Sequence, residues 1–392
     1  MTPLERLTPL LPLIAATGPE SDLHRRPSSV VMQRLAKADL MRMVVPQEYR
    51  GEGASSSEFM TFVEAIARVH PSTAWTAMTC NEEAGIASAY LEPETMRRLF
   101  VDTPDLVIAG SGVPRGLARP AAGGWTVSGR WDFVSGADVA DRMVLASQVA
   151  DSKPLRLCFV LVPAHDVRIE DTWHTLGLRG TGSNDVVADE LFVPDEWCGV
   201  VENFSRPRPD TPFYRLPSSL RFPFPKVGVA CGVARAALDA FVAMASERRP
   251  LNHRSVLAER PSVQIAVAAA EATLSSARAW ALEMAEELWA AAADSPEIDP
   301  KLHARCRLAC SHAVAAGIDA IESVVTEAGA SANRLWPEAM DFRPDPDFDR
   351  GPNLGQLLAD ARAVGGHFTV GSYQRTVAGR VLLGLPAGDP QF

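Results

Sequence analysis

Three places in this 392-residue chain combine reactive side chains with a spacing that could serve chemistry. The first is His367, preceded by Gly365 and Gly366. An imidazole of ordinary pKa, about 6.5, can accept a proton from a phenol or an amine but is a poor base toward a weakly acidic C–H. Two glycines in a helix interior cost about 1 kcal/mol each relative to alanine, which suits a kink or close approach to a ligand. The second place is Phe133-Val-Ser-Gly136, where Ser135 could hydrogen-bond a ligand beside an aromatic wall. As a bare motif it describes an edge strand and turn equally well. The third is Asp171 to Pro194, a Gly-rich polar turn between two β-type runs with the composition of a binding rim. Within it His174 could face a ligand or pair with a neighbouring carboxylate.

Other groupings are weaker. Gly110-Ser-Gly112-Val-Pro-Arg-Gly116 nearly spells a dinucleotide fingerprint, but Pro114 interrupts it and a strand pattern follows where a pyrophosphate site needs a helix N-terminus. GxxxxGK[ST], GxSxG and HExxH do not occur. His303, Cys306 and Cys310 share one helical face, yet no fourth ligand accompanies them, so no metal is expected. His70 before Pro71 reads as a C-cap. Six scattered cysteines without a CxxC pair suit a reducing compartment.

The elements that must position these residues follow from periodicity. Residues 1–104 show apolar positions three and four apart, as in Phe59, Phe62, Val63 and Ile66, and read as an all-α domain. Over 105–200 the period becomes two, in short runs split by Gly, Pro and Asp, and a β domain is expected. Residues 201–226 hold Pro and the aromatics Phe204, Phe213, Tyr214, Phe222 and Phe224, which suit a loop lining a cavity or a plain connector. Residues 227–392 carry Ala-rich amphipathic stretches at about 227–247, 257–293, 300–333 and 354–384, expected to form a helical bundle. A net charge of −10 with no basic stripe argues against nucleic acid. The chain has no uninterrupted apolar run of the ~18 residues a membrane span requires. A cytoplasmic protein is expected.

Gly129-Arg-Trp-Asp-Phe-Val-Ser-Gly136, Trp173-His-Thr-Leu-Gly-Leu-Arg-Gly-Thr-Gly-Ser-Asn-Asp185 and Val44-Val-Pro-Gln-Glu-Tyr-Arg-Gly-Glu-Gly-Ala54 together resemble the acyl-CoA dehydrogenase superfamily. The first two resemble its two-component flavin-dependent monooxygenases. The resemblance implies an α+β fold with an N-terminal helical domain, a middle β-barrel or sandwich, and a C-terminal four-helix bundle through which tetramers form. It implies a cytoplasmic enzyme that takes reduced FMN or FAD from a separate NAD(P)H-dependent flavin reductase. With O2 as co-substrate it would form a flavin C4a-hydroperoxide and hydroxylate a small aromatic molecule, phenolic or indolic. N- or S-oxygenation through the same intermediate, and an acyl-CoA dehydrogenase-type FAD oxidoreductase, are the alternatives.

Matched position by position, the resemblance puts Ser135 at the flavin N5 region as a catalytic and cofactor-binding group. Ser111, Trp131, Phe133, Val134, Gly182 and Ser183 join it around the cofactor. Dehydrogenases of the superfamily place a catalytic Glu a few residues after an Arg-Asp-Ala-Arg motif. Here Asp360-Ala-Arg362-Ala-Val-Gly-Gly-His367 offers His367 near that place, which implies substrate activation by an imidazole and favours oxygenation. Trp75, Cys80, Asn81, His174 and Phe213 are expected around the substrate. Several hydroxylases of the family have a histidine in the helix after Ser72-Thr-Ala-Trp75; this chain has none, and Cys80 or Asn81 would take that wall. Arg260 and Gln264 are candidates for a partner-subunit contact to the flavin.

Overall fold

The computed structural model describes residues 1–202, 207–250, 254–333 and 353–389, which leaves Phe204 of the aromatic loop outside the described residues. Six helices come first: α1 Pro3–Leu7, α2 Leu11–His24, α3 Ser29–Lys37, α4 Ser56–Ala67, α5 Pro71–Tyr90 and α6 Pro93–Phe100. Local chemistry marks their ends. Thr2 and Glu5 form a reciprocal capping box on α1, Ser28 caps α3, and Arg25 closes α2 with φ 55°. His70 serves both ends: its N–H donates to the Ile66 carbonyl at 2.9 Å behind α4, as a C-cap does, and its Nδ1 accepts from the Thr73 N–H at 3.3 Å at the start of α5.

Seven strands follow: β1 Ile108–Ala121, β2 Gly124–Val134, β3 Arg142–Val149, β4 Arg156–Pro163, β5 Arg168–Glu170, β6 Asn184–Pro194 and β7 Cys198–Glu202. They pair into one seven-stranded sheet of order β5-β6-β2-β1-β3-β4-β7, antiparallel except for β1 with β3. The β1–β2 hairpin turns in two residues, with Gly123 at φ 76°. In β1 the pairing with β3 slips between Ser111 and Gly116, so the near-fingerprint is a strand irregularity.

Among the described residues that follow, the α-helices are α7 Pro212–Arg215, α8 Ser218–Arg221, α9 Pro223–Glu247, α10 Pro261–Asp294, α11 Pro300–Ala328, α12 Leu354–Gly365 and α13 Tyr373–Leu382. The long helix α9 starts four residues earlier than its pattern suggested, with Pro in its first turn. The last amphipathic stretch is two helices, because α12 stops at Gly365. That glycine's close neighbour is Ile318 of α11, whose Cδ1 would lie 2.8 Å from an added Cβ.

The chain divides into two compact units. The first comprises 1–55, 75–174 and 179–217, and the second 56–74, 175–178 and 218–392. The first holds the sheet with α1–α3, α6 and most of α5. The second is helical, and α4 belongs to it, packed along α9. This packing explains two glycines of α9: a Cβ on Gly228 would come within 2.3 Å of the Met60 carbonyl oxygen, and one on Gly232 within 2.6 Å of that of Glu64. Arg278 of α10 then reaches Glu64 through Nε at 2.7 and 2.9 Å.

Two helical stretches, Ser218–Glu247 and Pro300–Ala328, are long and apolar enough to cross a membrane, although more than half of each apolar window is buried within the protein. That burial is what core helices of a bundle show. All six cysteines are free and buried.

Candidate active site

Strand β2 ends in a bulge that decides where its side chains point. Trp131 pairs with Val186 and Val134 with Asn184, so three steps on β2 oppose two on β6. The extra residue reverses the in–out alternation. Phe133 takes φ 60°, rare for an aromatic residue, and turns outward to 67% exposure, while Trp131 and Val134 are both fully buried. The outward ring meets Trp173 edge-on, with centroids 6.2 Å apart.

Beyond the bulge, Ser135 enters a buried polar line. Trp75 Nε1 donates to Ser135 Oγ at 3.1 Å, and Ser135 Oγ lies 2.7 Å from Ser183 Oγ. Ser183 Oγ is in turn 2.7 Å from Thr181 Oγ1. The Gly136 N–H donates to the Thr181 carbonyl at 3.0 Å, tying the end of β2 to the rim segment. Gly182 adopts φ 51°, and an added Cβ would meet Asp138 Oδ2 at 2.7 Å, so glycine is required there.

The rim doubles back on Asn184. Its Oδ1 accepts from the Thr172 and Trp173 N–H groups at 3.1 and 3.0 Å, and its Nδ2 donates to Asp138 at 3.2 Å. This clamp sets Trp173 against Phe133. Nearby, a polar cleft of about 200 Å³ is lined by His24, Arg25, Arg26, Asp138, Ile169, Asp171 and Asn184. Arg25 holds Asp171 in a two-pronged pair at 2.7 and 3.0 Å, and this hydrogen bonding pulls the Asp171 carboxyl below its ordinary value. His174 is largely exposed beside that pair, 3.5 Å from Asp171. The same ring nitrogen is 3.3 Å from Arg25 Nη1, so His174 sits against the ion pair as a whole.

Several expected site residues lie in the interior instead. Trp131 is a core residue: its ring packs against Gly116 and Gly129, and its Nε1 donates to the Ala146 carbonyl. Asn81 is spent on structure, because Oδ1 accepts from the Met43 N–H at 2.7 Å while Nδ2 donates to the Leu40 and Ala77 carbonyls at 3.0 and 2.9 Å. Cys80 is buried beneath Gly136, where a Cβ would lie 3.1 Å from its sulfur, and burial pushes its thiol pKa up. Phe213 is buried edge-on to Tyr214, whose hydroxyl donates to the Val44 carbonyl at 2.9 Å. Ser111 is buried where β1 loses register. Thus Ser135, Ser183, Trp75, Phe133 and Gly182 come together in the first unit, while Asn81, Trp131 and Phe213 are buried in its interior.

In the second unit, His367 follows the end of α12 in a turn, so the paired glycines end a helix rather than interrupt one. Its Nδ1 lies 2.8 Å from Thr369 Oγ1 and accepts from the Thr369 N–H at 3.3 Å. Although the residue is half-buried, protein atoms crowd the ring. That crowding, with the Lys226 ammonium, holds its pKa well below the ordinary imidazole value and keeps it neutral at physiological pH. Upstream, Asp360 accepts from the Leu178 N–H at 2.6 Å and from Gln356 Nε2 at 2.9 Å. A Cβ on Gly177 would strike the Ala359 carbonyl oxygen at 2.1 Å, so residues 175–178 of the rim dock tightly on α12. Arg260 stands at the N-cap of α10, and Gln264 Nε2 donates to the Ala258 carbonyl at 3.1 Å. His303 shares a hydrogen bond of 3.2 Å between its Nε2 and Ser219 Oγ, and Cys306 is a buried thiol pushed up to about 12.

Pattern reading missed Lys226, Thr181 and Trp173. Lys226 is 1% exposed and donates to the Phe222 carbonyl at 3.2 Å. Its signal was present as a lone cation in the apolar run from Phe222 to Ala230. Thr181 gave none, because a polar residue in a Gly-rich turn is ordinary.

Two family models match the chain: "Acyl-CoA dehydrogenase, N-terminal domain" over residues 12–91 and "Acyl-CoA dehydrogenase, C-terminal domain" over 226–335. Indole-3-acetate monooxygenase of Pseudomonas putida is 32% identical over 371 residues, 93% of this chain and 89% of that protein. The oxygenase component of an FADH2-dependent resorcinol hydroxylase from a Rhizobium species is 27% identical over 286 residues, 69% of each. Among solved structures, 3-HSA hydroxylase from Rhodococcus sp. RHA1 superposes with a TM-score of 0.85 at 26% identity, covering 100% of this chain and 99% of that one.

Proposed function

The chain belongs to the acyl-CoA dehydrogenase superfamily, as a flavin-dependent monooxygenase of its two-component branch, and from that premise we propose how its residues divide the work. It hydroxylates a small aromatic substrate, phenolic or indolic, with reduced FMN or FAD supplied by a separate NAD(P)H-dependent flavin reductase. The bound reduced flavin supplies the electrons that activate O2 for transfer of one oxygen atom.

The residues of the first unit fit such a ring. An outward aromatic held in a strained conformation next to buried hydroxyls offers an apolar face and hydrogen-bonding groups side by side. Ser135 binds the N5 edge, Phe133 and Trp173 form the apolar wall that keeps water out, and Ser111, Gly182 and Ser183 complete the lining. Trp131 and Val134 hold the strand from behind. His367, kept neutral with its Nδ1 lone pair turned to the Thr369 N–H, presents its other ring nitrogen as an N–H that hydrogen-bonds and activates the substrate oxygen.

One observation carries the oxygenase reading. The turn from Gly366 to Ser372 contains no Asp or Glu, and its one ionisable side chain is an imidazole held in its basic form. Abstraction of an acyl α-proton would call for a carboxylate there. Four copies of the 42.2 kDa chain, joined through the helical unit, form the working assembly in the cytoplasm.

The test is to load the protein anaerobically with reduced FMN or FAD, admit O2 with a phenol or an indole, and compare His367→Ala with the parent. Hydroxylation in the variant should fall about 100-fold or more while reduced-flavin affinity changes little. A variant as fast as the parent at every pH would remove His367 from the reaction.

A further inference from the structure

The turn that carries His367 is gripped, within the second unit, by a buried chain of hydrogen bonds whose directions are set by the groups in it. A guanidinium can only donate, and Arg307 Nε of α11 meets Gln374 Oε1 of α13 at 2.6 Å. The Gln374 amide is thereby set with its oxygen toward Arg307, and its Nε2 donates to the Phe368 carbonyl at 2.6 Å. A second arm of Arg307 pairs with Asp389, in the segment after α13. Arg307, Gln374 and the Asp389 side chain are at most 8% exposed, so water does not compete for these bonds. The same turn is held from α11 by Ser311 Oγ, which donates to the Gly371 carbonyl at 3.1 Å.

The Phe368 carbonyl and the Thr369 N–H belong to one planar peptide group, so holding its oxygen aims its hydrogen. That N–H donates to His367 Nδ1 at 3.3 Å. Nδ1 also lies 2.8 Å from Thr369 Oγ1, but a hydroxyl donates or accepts and so suits either tautomer of a neutral imidazole. The peptide N–H suits only one, the tautomer whose Nδ1 is bare. We propose that Gln374, oriented by Arg307 and Asp389, is a positioning residue that fixes the His367 tautomer, keeping the Phe368–Thr369 peptide turned so that Nδ1 accepts and the proton stays on Nε2. The inference rests on the reading above that His367 presents that nitrogen to the substrate. Gln374 acts through the peptide and need touch neither substrate nor flavin. Without its grip the peptide is free to turn, and Nδ1 can then carry the proton and donate it to Thr369 Oγ1.

The experiment labels the histidines of the full chain with 15N and reads their ring-nitrogen shifts by NMR, which distinguish protonated from bare imidazole nitrogens. The His367 signals are those lost in His367→Ala. In the parent, Nδ1 is bare and Nε2 protonated. Gln374→Glu keeps an acceptor for Arg307 and removes the donor to Phe368, so its His367 signals move toward a mixture of the two tautomers. Its kcat for the phenol or indole that the parent hydroxylates with added reduced flavin falls about three- to tenfold, the worth of one hydrogen bond, with KM within about twofold. Asp389→Asn, which leaves Gln374 in place, moves tautomer and kcat in the same direction to a smaller extent. The signals report folded molecules, so an unfolded fraction does not imitate the shift. Parental tautomer signals in both variants, or a loss of kcat without a change of tautomer, overturn the proposal. A tautomer shift in Gln374→Glu with parental rates there and in His367→Ala overturns instead the catalytic reading of His367.

Discussion

Phe133 combines a strained backbone with an exposed ring, which the proposed flavin-binding role would account for. Its left-handed backbone costs about 1 kcal/mol, and its exposed ring recovers little by burial. Phe133→Gly should therefore raise the unfolding free energy by about 1 kcal/mol in a urea titration while weakening reduced-flavin binding. A loss of both would mean that the ring is a structural element. Asn81 is the opposite case, a polar residue resembling a ligand contact that serves the fold. Asn81→Ala leaves the Met43 N–H and the Leu40 carbonyl without their buried partner and should cost about 3 kcal/mol, read from the urea midpoint. The contrast marks how far the site was legible from sequence. The Phe-Val-Ser-Gly motif marked a strand end, which the structure has at Val134, but simple alternation could not reveal the bulge that sends Trp131 inward and Phe133 outward. Nor does an amide in a helix announce that its three hydrogen bonds are already used.

His303 adds a pH dependence at the same scale. Burial, with the neighbouring Arg307, lowers its pKa to about 4, whereas the unfolded chain protonates near the ordinary value of 6.5. Between these values the unfolded state takes up a proton that the folded state refuses, so stability is full above about pH 6.5 and declines toward pH 4. The decline attributable to His303 is at most about 3 kcal/mol. His303→Gln should flatten the stability profile over this window, and an equally steep profile in the variant would show that other groups cause the loss.

Among the elements, α4 was the hardest to place from sequence. Its apolar face says that it is buried but not where, and its position before the strands suggested an N-terminal domain. The decisive residues are far away in the chain: Gly228 and Gly232 of α9, one turn apart, clear a track for the backbone of α4. A methyl at Gly228 would press on the Met60 carbonyl, so Gly228→Ala should destabilise the protein by about 1–3 kcal/mol, whereas the usual helix-interior change from glycine to alanine stabilises it. Thermal denaturation decides the sign. The long helices α9, α10 and α11 were legible because their amphipathic patterns persist over many turns. The break before His367 was not, since two glycines suit a kinked helix and a terminated one alike, and what distinguishes them is the tightened turn in which the His367 N–H donates back to the Val364 carbonyl at 3.1 Å.

At the scale of the whole molecule, fold and chemistry are carried by different parts of the chain. The superfamily's fold serves dehydrogenation and oxygenation, and the motifs that identify it lie mainly in the sheet unit. His367, to which we assign the difference between the two chemistries, lies in the helical unit. In solution, light scattering should return four times the 42.2 kDa chain mass, and a monomer would refute the assembly. The most direct measurement supplies chemically reduced flavin and 18O2 with a phenolic or indolic substrate and weighs the product by mass spectrometry. Incorporation of one 18O atom, dependent on added reduced flavin and absent with NAD(P)H alone, is the result this account requires. Product without the label, or desaturation of an acyl thioester under the same conditions, would contradict it.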